Sequence, residues 1–128
     1  MTLRSPLGRV LGMGTAKEGV HHWWHQRLSS IALVPLSIWF VTSLLALPRY
    51  DHATLTAWMG HTTTALLLAL FVLVSAWHSQ LGVRVVVEDY VHGTGSKTLL
   101  LVLSSFAHVL LGAAGVLAVL KVALGVAR

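Results

Sequence analysis

Three long apolar segments dominate the pattern of hydrophobic and polar positions along the chain. They run over roughly residues 29–47, 62–87 and 98–120 and are separated by short polar stretches. A helix rises about 1.5 Å per residue, so about 20 apolar residues cross the roughly 30 Å of hydrocarbon in a bilayer. The pattern therefore predicts an all-α fold, a membrane bundle of three transmembrane helices.

The connections between these segments are polar and rich in turn-forming residues. "LPRYDH" follows the first segment and "HGTGSK" follows the second, as expected for loops outside the hydrocarbon. We place Pro35 in the first turns of the first helix, where a missing N–H is tolerated. Residues 1–18 show no motif and are interpreted as a cytoplasmic N-terminal tail, and residues 19–128 as the transmembrane domain.

Composition supports the membrane assignment and excludes several classes of protein. Of the 128 residues, 55% are hydrophobic and only 10% are charged, too few charges for a soluble domain of this length. Cysteine is absent, which excludes disulfides, thiolate metal sites and thiol nucleophiles. The net charge of +5 comes from scattered side chains. That distribution fits lipid headgroups and membrane topology, and it does not indicate a nucleic-acid partner.

The basic residues also predict an orientation. One side of the predicted bundle carries six of them: Arg4, Arg9, Lys17, Arg27, Arg84 and Lys97. The other side carries three: Arg49, Lys121 and Arg128. Because cytoplasmic loops are enriched in Lys and Arg, we expect a cytoplasmic N-terminus and a periplasmic C-terminus in a bacterial inner membrane.

The stretch "HHWWHQR", residues 21–27, places three histidines, two tryptophans and an arginine directly before the first apolar segment. The predicted topology puts it on the same side as "EDY", residues 88–90, so the two could share a site. Decoration of the membrane interface is one explanation, since Trp residues favour that depth. Contact with a bound prosthetic group is the other.

Two histidines fall inside predicted membrane spans. His78 lies on the second helix and His108 on the third. Ionisable residues at this depth often mark function, and a neutral imidazole is a common axial ligand of haem iron. A histidine hydrogen-bonded across a helix interface is the competing explanation. Two axial histidines must come from different helices or different chains, and position alone does not choose between these two residues.

Small residues accompany both histidines at helical spacing. Ser75, Ser79 and Gly82 form a stripe beside the first histidine, and Gly112 and Gly115 continue the stripe of the second. Small side chains let another helix, or a flat macrocycle, approach closely. Plain helix packing and a haem pocket are both consistent with these stripes.

The stretch "HSQLGVRVVVEDYVH" resembles the second helix of the small membrane-anchor subunit of succinate dehydrogenase (respiratory complex II). In that family a haem-ligating histidine precedes the tyrosine of an Asp-Tyr pair by twelve residues, as His78 precedes Tyr90 here. Upstream, "GVHHWWHQRLSSIALVPLSIWFV" is similar to the start of the family's first helix. There a Gly-x-His is followed six residues later by an arginine, matching His21 and Arg27. The combination looks particularly like the alphaproteobacterial and mitochondrial branch.

The resemblance implies a set of cofactors, partners and site residues. The family member shares one haem b with a second membrane-anchor subunit, and each contributes a histidine. The pair anchors an iron–sulfur subunit and a flavoprotein subunit and forms a ubiquinone site. Carried over, His78 would ligate the haem iron, Arg27 and His21 would surround the propionates or the quinone pocket, and Tyr90 with Asp89 would bind ubiquinone. His22, His25 and His108 inherit no role.

Two other classes of protein remain as alternatives. One is the cytochrome b anchor of a different quinone-linked dehydrogenase, and the other is a small membrane protein without redox chemistry. The chain is not expected to be catalytic on its own, because it has no nucleotide-binding fold, nucleophile, flavin site or iron–sulfur site. In the preferred interpretation it serves succinate oxidation in the respiratory chain and the tricarboxylic acid cycle.

Overall fold

The computed structural model describes the backbone of residues 16–126 and the side chains of residues 20–126. It contains four helices: α1 (Ala16–Leu45), α2 (His52–Gly60), α3 (Thr62–Tyr90) and α4 (Thr94–Ala123). Three of them are long and apolar enough to cross a membrane, over Val20–Leu45, Thr62–Tyr90 and Thr94–Ala123. The predicted all-α fold with three membrane-spanning helices is confirmed.

Helix α1 begins well before its apolar segment. It starts at Ala16, so "HHWWHQR" forms two helical turns, and the last three residues of the predicted tail are helical too. The rest of that tail, residues 1–15, lies outside the described residues. Pro35 therefore sits in the second half of α1, and its placement in the first turns was wrong. Hydropathy locates the hydrocarbon crossing, and a helix can continue beyond it into the headgroup region.

The short helix α2 was not predicted from the sequence. It follows "LPRYDH" because Asp51 acts as its N-cap, its carboxylate accepting a 2.8 Å hydrogen bond from the backbone N–H of Thr54. Hydrogen bonding from Thr54, through its side chain and then its backbone, lowers the pKa of Asp51 below its usual value. The turn-forming residues were identified correctly, but one of them, Asp51, also caps the start of a helix.

Helix α3 occupies the middle of the structure. It packs against α1 on one side and α4 on the other, and within residues 16–126 the backbones of α1 and α4 do not come close to each other. Contacts of Ser29 with His78 and of Phe40 with Phe71 show that α1 and α3 run antiparallel. "HHWWHQR" and "EDY" therefore lie at the same end, as expected.

At the opposite end α2 packs on α3 and α4. The Trp58 ring stacks on Trp39 of α1 at a centroid distance of 6.2 Å, and Phe40 stacks on Phe71 of α3 at 5.0 Å. A small buried cluster lies beside these rings: Ala65, Leu68 and Val119. Apolar burial at this end fixes the helices, while the other end carries the polar residues.

Two glycines bring α3 and α4 close together. A Cβ atom added to Gly115 would lie 2.7 Å from Cγ1 of Val72, and one added to Gly112 would lie 3.4 Å from Cβ of Ala76. The side chain of Gln80 also donates a 3.3 Å hydrogen bond to Ser105 across this contact. The small residues that follow His108 therefore serve helix packing, one of the two explanations for their spacing.

Most large apolar side chains face outwards. Within the most apolar window of each span, only 6% of α1, 11% of α3 and 6% of α4 is buried. Long rows of exposed Leu, Ile and Val follow from three helices arranged side by side with one in the middle. Such surfaces require lipid or another protein to cover them.

Candidate functional site

His78 lies at the contact between α3 and α1, and its imidazole is half-buried. Its Nδ1 atom is 2.9 Å from the hydroxyl oxygen of Ser29, and its Nε2 atom is 3.4 Å from the amide nitrogen of Gln26. Ser29 is 2% exposed, the least exposed polar residue among those described as buried. The interior histidine thus faces a polar patch on α1.

That patch is a stripe of His22, Gln26 and Ser29, spaced i, i+4 and i+7 on α1. Residues at this spacing share one face of a helix. Two buried polar atoms of the stripe, His22 Nε2 and Gln26 Oε1, have no hydrogen-bond partner. Most buried polar groups in proteins are paired, so these two point to a missing polar neighbour.

The sequence interpretation missed this stripe. His22 was given no role, and Gln26 and Ser29 were not singled out. The i, i+4, i+7 spacing was visible in the sequence, but it did not show which face of α1 meets α3.

His108 has a different environment. Its Nδ1 atom is 2.7 Å from the carbonyl oxygen of Ser104 on the same helix, and its Nε2 atom is 3.1 Å from the hydroxyl oxygen of Ser79 on α3. Both ring nitrogens therefore have partners within the α3–α4 contact. This geometry matches a histidine hydrogen-bonded across a helix interface.

A groove of about 390 Å³ also lies along the α3–α4 contact, with Trp77, Gln80 and His108 among its lining residues. A second groove of about 340 Å³ adjoins it and ends near Arg84. His78 lines neither groove. These two grooves and the His78 contact are therefore separate features.

The structure does not bring Arg27 or His21 to His78. Both are exposed, and Arg27 precedes Ser29 by two residues, a rotation of about 200° around the helix. Its guanidinium lies over the ring of Trp23, 5.4 Å from the centroid. Arg27 is thus on the face of α1 that points away from α3, although it is close to the level of the His78 imidazole.

The other aromatic residues of "HHWWHQR" divide between two surroundings. Trp23 and Trp24 are about half exposed and meet edge to face at 5.1 Å. His25 instead contacts the ring of Trp77 on α3 at 5.3 Å. The two tryptophans are placed as interface residues would be, while His25 contributes to the α1–α3 contact.

Tyr90 and Asp89 are the last residues of α3, and both are exposed. Tyr90 is 78% exposed, and twelve residues of helix separate it from His78 by about 18 Å. Beside them Arg84 forms a 2.8 Å ion pair with Glu88, and Lys97 donates a hydrogen bond to the Glu88 carbonyl oxygen. These contacts fix the end of α3 and leave the tyrosine ring and the Asp89 side chain exposed.

No group of three His, Asp or Glu side chains suited to a bare metal ion occurs in the part of the chain that the structure describes. One histidine is enough for an axial position on a haem, because the macrocycle supplies four of the six ligands. The residues around His78 fit such a group, since the buried Nε2 atom of His22 nearby has no hydrogen-bond partner and could donate to a propionate.

Comparison with known proteins gives a consistent result. A family model described as succinate dehydrogenase/fumarate reductase transmembrane subunit matches residues 1–121. A succinate dehydrogenase hydrophobic membrane anchor subunit from Paracoccus denitrificans is 32% identical over 121 residues, covering 94% of this chain and 93% of that protein. The protein of the same name from Rickettsia bellii is 33% identical over 88 residues, 69% of this chain and 70% of that protein. A succinate dehydrogenase membrane anchor subunit from Reclinomonas americana is 26% identical, covering 70% of this chain and 77% of that protein.

Proposed function

Since the chain belongs to the family of succinate dehydrogenase/fumarate reductase transmembrane subunits, we propose that it is the hydrophobic membrane anchor of a succinate dehydrogenase. In this role it holds an iron–sulfur subunit and a flavoprotein subunit at the membrane together with a second membrane-anchor subunit. It also shares a haem b with that second anchor and helps to form the site where ubiquinone is reduced.

The observation that carries the haem proposal is the position of His78. It is a half-buried imidazole inside a membrane span, held at its Nδ1 atom by Ser29. Metal-ligating histidines characteristically bind the metal through one ring nitrogen and hydrogen-bond through the other. A haem bound here would supply one-electron chemistry within the membrane. The unpaired Nε2 atom of His22 would be satisfied by an acidic group such as a propionate.

The second axial histidine would come from the partner membrane anchor. His108 is the histidine of the α4 span, and its two ring nitrogens already bond to Ser104 and Ser79. Gly82, in the stripe beside His78, has open space where a Cβ would point. The partner or the macrocycle can therefore approach α3 on that side without displacing any part of this chain.

Tyr90 and Asp89 would contribute to the ubiquinone site. A quinone that is being reduced gathers negative charge on its carbonyl oxygens and takes up two protons. The Tyr90 hydroxyl can donate a hydrogen bond to one of these oxygens, and Asp89 can orient the hydroxyl or relay a proton. Their exposure at the end of α3 leaves both groups free to meet a ligand or a neighbouring protein.

Purification of the chain with its native partners tests the proposal. We expect a b-type reduced-minus-oxidised spectrum, copurified flavin and succinate-dependent reduction of ubiquinone. His78→Ala should remove or alter the haem spectrum. A haem spectrum without succinate activity would assign the chain to another quinone-linked dehydrogenase. A colourless protein without hydrophilic partners would contradict any redox role.

A further inference from the structure

The hydroxyl group of Ser29 lies between two backbone carbonyl oxygens of α1 and the imidazole of His78. Its oxygen lies 2.8 Å from the carbonyl oxygen of His25 and 3.0 Å from that of Gln26, both on its own helix. A hydroxyl has a single proton, and these carbonyl oxygens can only accept it. With that proton donated to a carbonyl oxygen, the Ser29 oxygen meets Nδ1 of His78, 2.9 Å away, as an acceptor.

The consequence is a defined tautomer of His78. If the Ser29 oxygen accepts, then Nδ1 carries the proton and Nε2 carries the lone pair. The contact on the other side of the ring agrees, because the Gln26 amide nitrogen, a donor, faces Nε2 at 3.4 Å. Both contacts with α1 thus agree with a lone pair on Nε2, where an iron ligand bond would replace the Gln26 contact.

We infer that Ser29 is a positioning residue for His78: it fixes the proton on Nδ1, sets the plane of the ring and strengthens Nε2 as an iron ligand. The inference rests on the proposed role of His78 in binding haem. An acceptor on Nδ1–H makes an imidazole a stronger donor to a metal and restricts its rotation. A stronger donor favours the ferric state, so loss of the acceptor should raise the haem midpoint potential.

The experiment compares three variants in the complex purified with its partner subunits. Ser29→Ala removes the acceptor, and Ser29→Thr keeps a hydroxyl that can make the same bonds. Ser30→Ala is the matched control, because Ser30 is also half-buried, bonds to the carbonyl oxygen of Gln26 and does not contact His78. The measurements are the haem midpoint potential, the low-spin ferric spectrum, which reports ligand orientation, and the haem retained after dilution.

For Ser29→Ala we expect a more positive midpoint potential, a changed ferric spectrum and haem retention weakened roughly 10- to 100-fold. Ser29→Thr and Ser30→Ala should resemble the wild type. Unchanged potential and spectrum in Ser29→Ala would overturn the inference, as would equal shifts in the Ala and Thr variants.

Two further comparisons separate this inference from the haem proposal and from misfolding. If His78→Ala keeps the wild-type haem spectrum, the haem proposal itself fails. If Ser29→Ala assembles poorly, its effect is measured again in the His78→Ala background, as a double-mutant cycle. A loss of assembly that disappears in that background supports action through His78. A loss of equal size in both backgrounds shows that Ser29 supports only the fold.

Discussion

The Nε2 atom of His108 lies 3.1 Å from the hydroxyl oxygen of Ser79, which joins α4 to α3 next in sequence to His78. Ser79 follows His78 directly on α3, yet His78 and His108 take part in contacts between different pairs of helices. His78 meets α1, and His108 meets α3. We therefore expect substitution of His78 to affect haem binding and substitution of His108 to affect helix packing.

We predict that His108→Ala leaves haem binding intact and weakens the α3–α4 contact. Interhelical hydrogen bonds in membranes contribute about 0.6 kcal/mol on average, and we expect a loss of stability of that order. Ser79→Ala should have a similar effect, and the double variant should add little. The reduced-minus-oxidised spectrum and the unfolding midpoint of the complex check this. If His108→Ala loses the haem and His78→Ala keeps it, the ligand was assigned to the wrong helix.

Gly115→Ala should destabilise the complex, because its new Cβ would meet Val72 Cγ1 at 2.7 Å. A β-branched side chain has little freedom to move aside, and overpacking typically costs about 1–3 kcal/mol. Gly95→Ala is the control, since it makes the same change in α4 where no atom lies within 4 Å. Thermal unfolding measures both variants, and Val72→Ala should partly rescue Gly115→Ala. Equal stability of the two glycine variants would contradict the close approach.

Arg27→Leu should lower ubiquinone reduction or shift the haem potential. The guanidinium is exposed on the face of α1 opposite Ser29, where a carboxylate from a partner protein could reach it. Arg27→Lys keeps the charge but loses the two-pronged geometry, so it should rescue only in part. Arg49→Leu, at the opposite end, is the control. If both Arg27 variants keep the wild-type turnover and haem potential, then Arg27 contributes only to membrane topology and to its contact with the Trp23 ring.

Tyr90→Phe should impair ubiquinone reduction without affecting succinate oxidation. Loss of one hydrogen bond to a developing oxyanion costs roughly 10²-fold in rate. Succinate oxidation by a water-soluble artificial acceptor draws electrons before the quinone site and should stay near the wild-type rate. Asp89→Asn should affect the same step more mildly if it orients the tyrosine. Tyr50→Phe is the control, because its hydroxyl donates to the Leu44 carbonyl oxygen at the other end. Normal quinone reduction in the Tyr90 and Asp89 variants would place the pocket elsewhere.

A reporter protein that works only in the periplasm should be active when it is fused at residue 128. Three spans would place the two termini on opposite sides, and six basic residues against three favour a cytoplasmic N-terminus. A reporter fused in the "HGTGSK" connection should give the opposite result. Cytoplasmic activity at residue 128 would reverse the orientation and move Tyr90 away from the predicted cytoplasmic side.

The spans were predictable because hydropathy responds directly to the bilayer, and α3 and α4 extend only a few residues beyond the predicted limits. The start of α1 could not be predicted from hydropathy, since a helix in the headgroup region needs no apolar run. Helix α2 was missed for a related reason: its nine residues are too few to show a clear period, and Asp51 looks like any turn residue.

The candidate site was predictable only in part. His78 stood out because an ionisable residue in a span is rare and the spacing to Tyr90 is specific. Its contact with Ser29 depends on which face of α1 meets α3, and packing decides that. Arg27 shows the same limit, since its spacing matched a family motif while its position on the helix turned it away from His78.

The central position of α3, with α1 and α4 on opposite sides of it, bears on how the chain is made. Synthesis proceeds from the N-terminus, so α1 emerges first and finds its partner only when α3 leaves the ribosome. The pairing of Ser29 with His78 belongs to this first hairpin and does not depend on α4. Within the described residues the backbone of α4 does not come close to that of α1, so α4 joins an existing pair. Ser29 and His78 can therefore pair before the last helix enters the membrane.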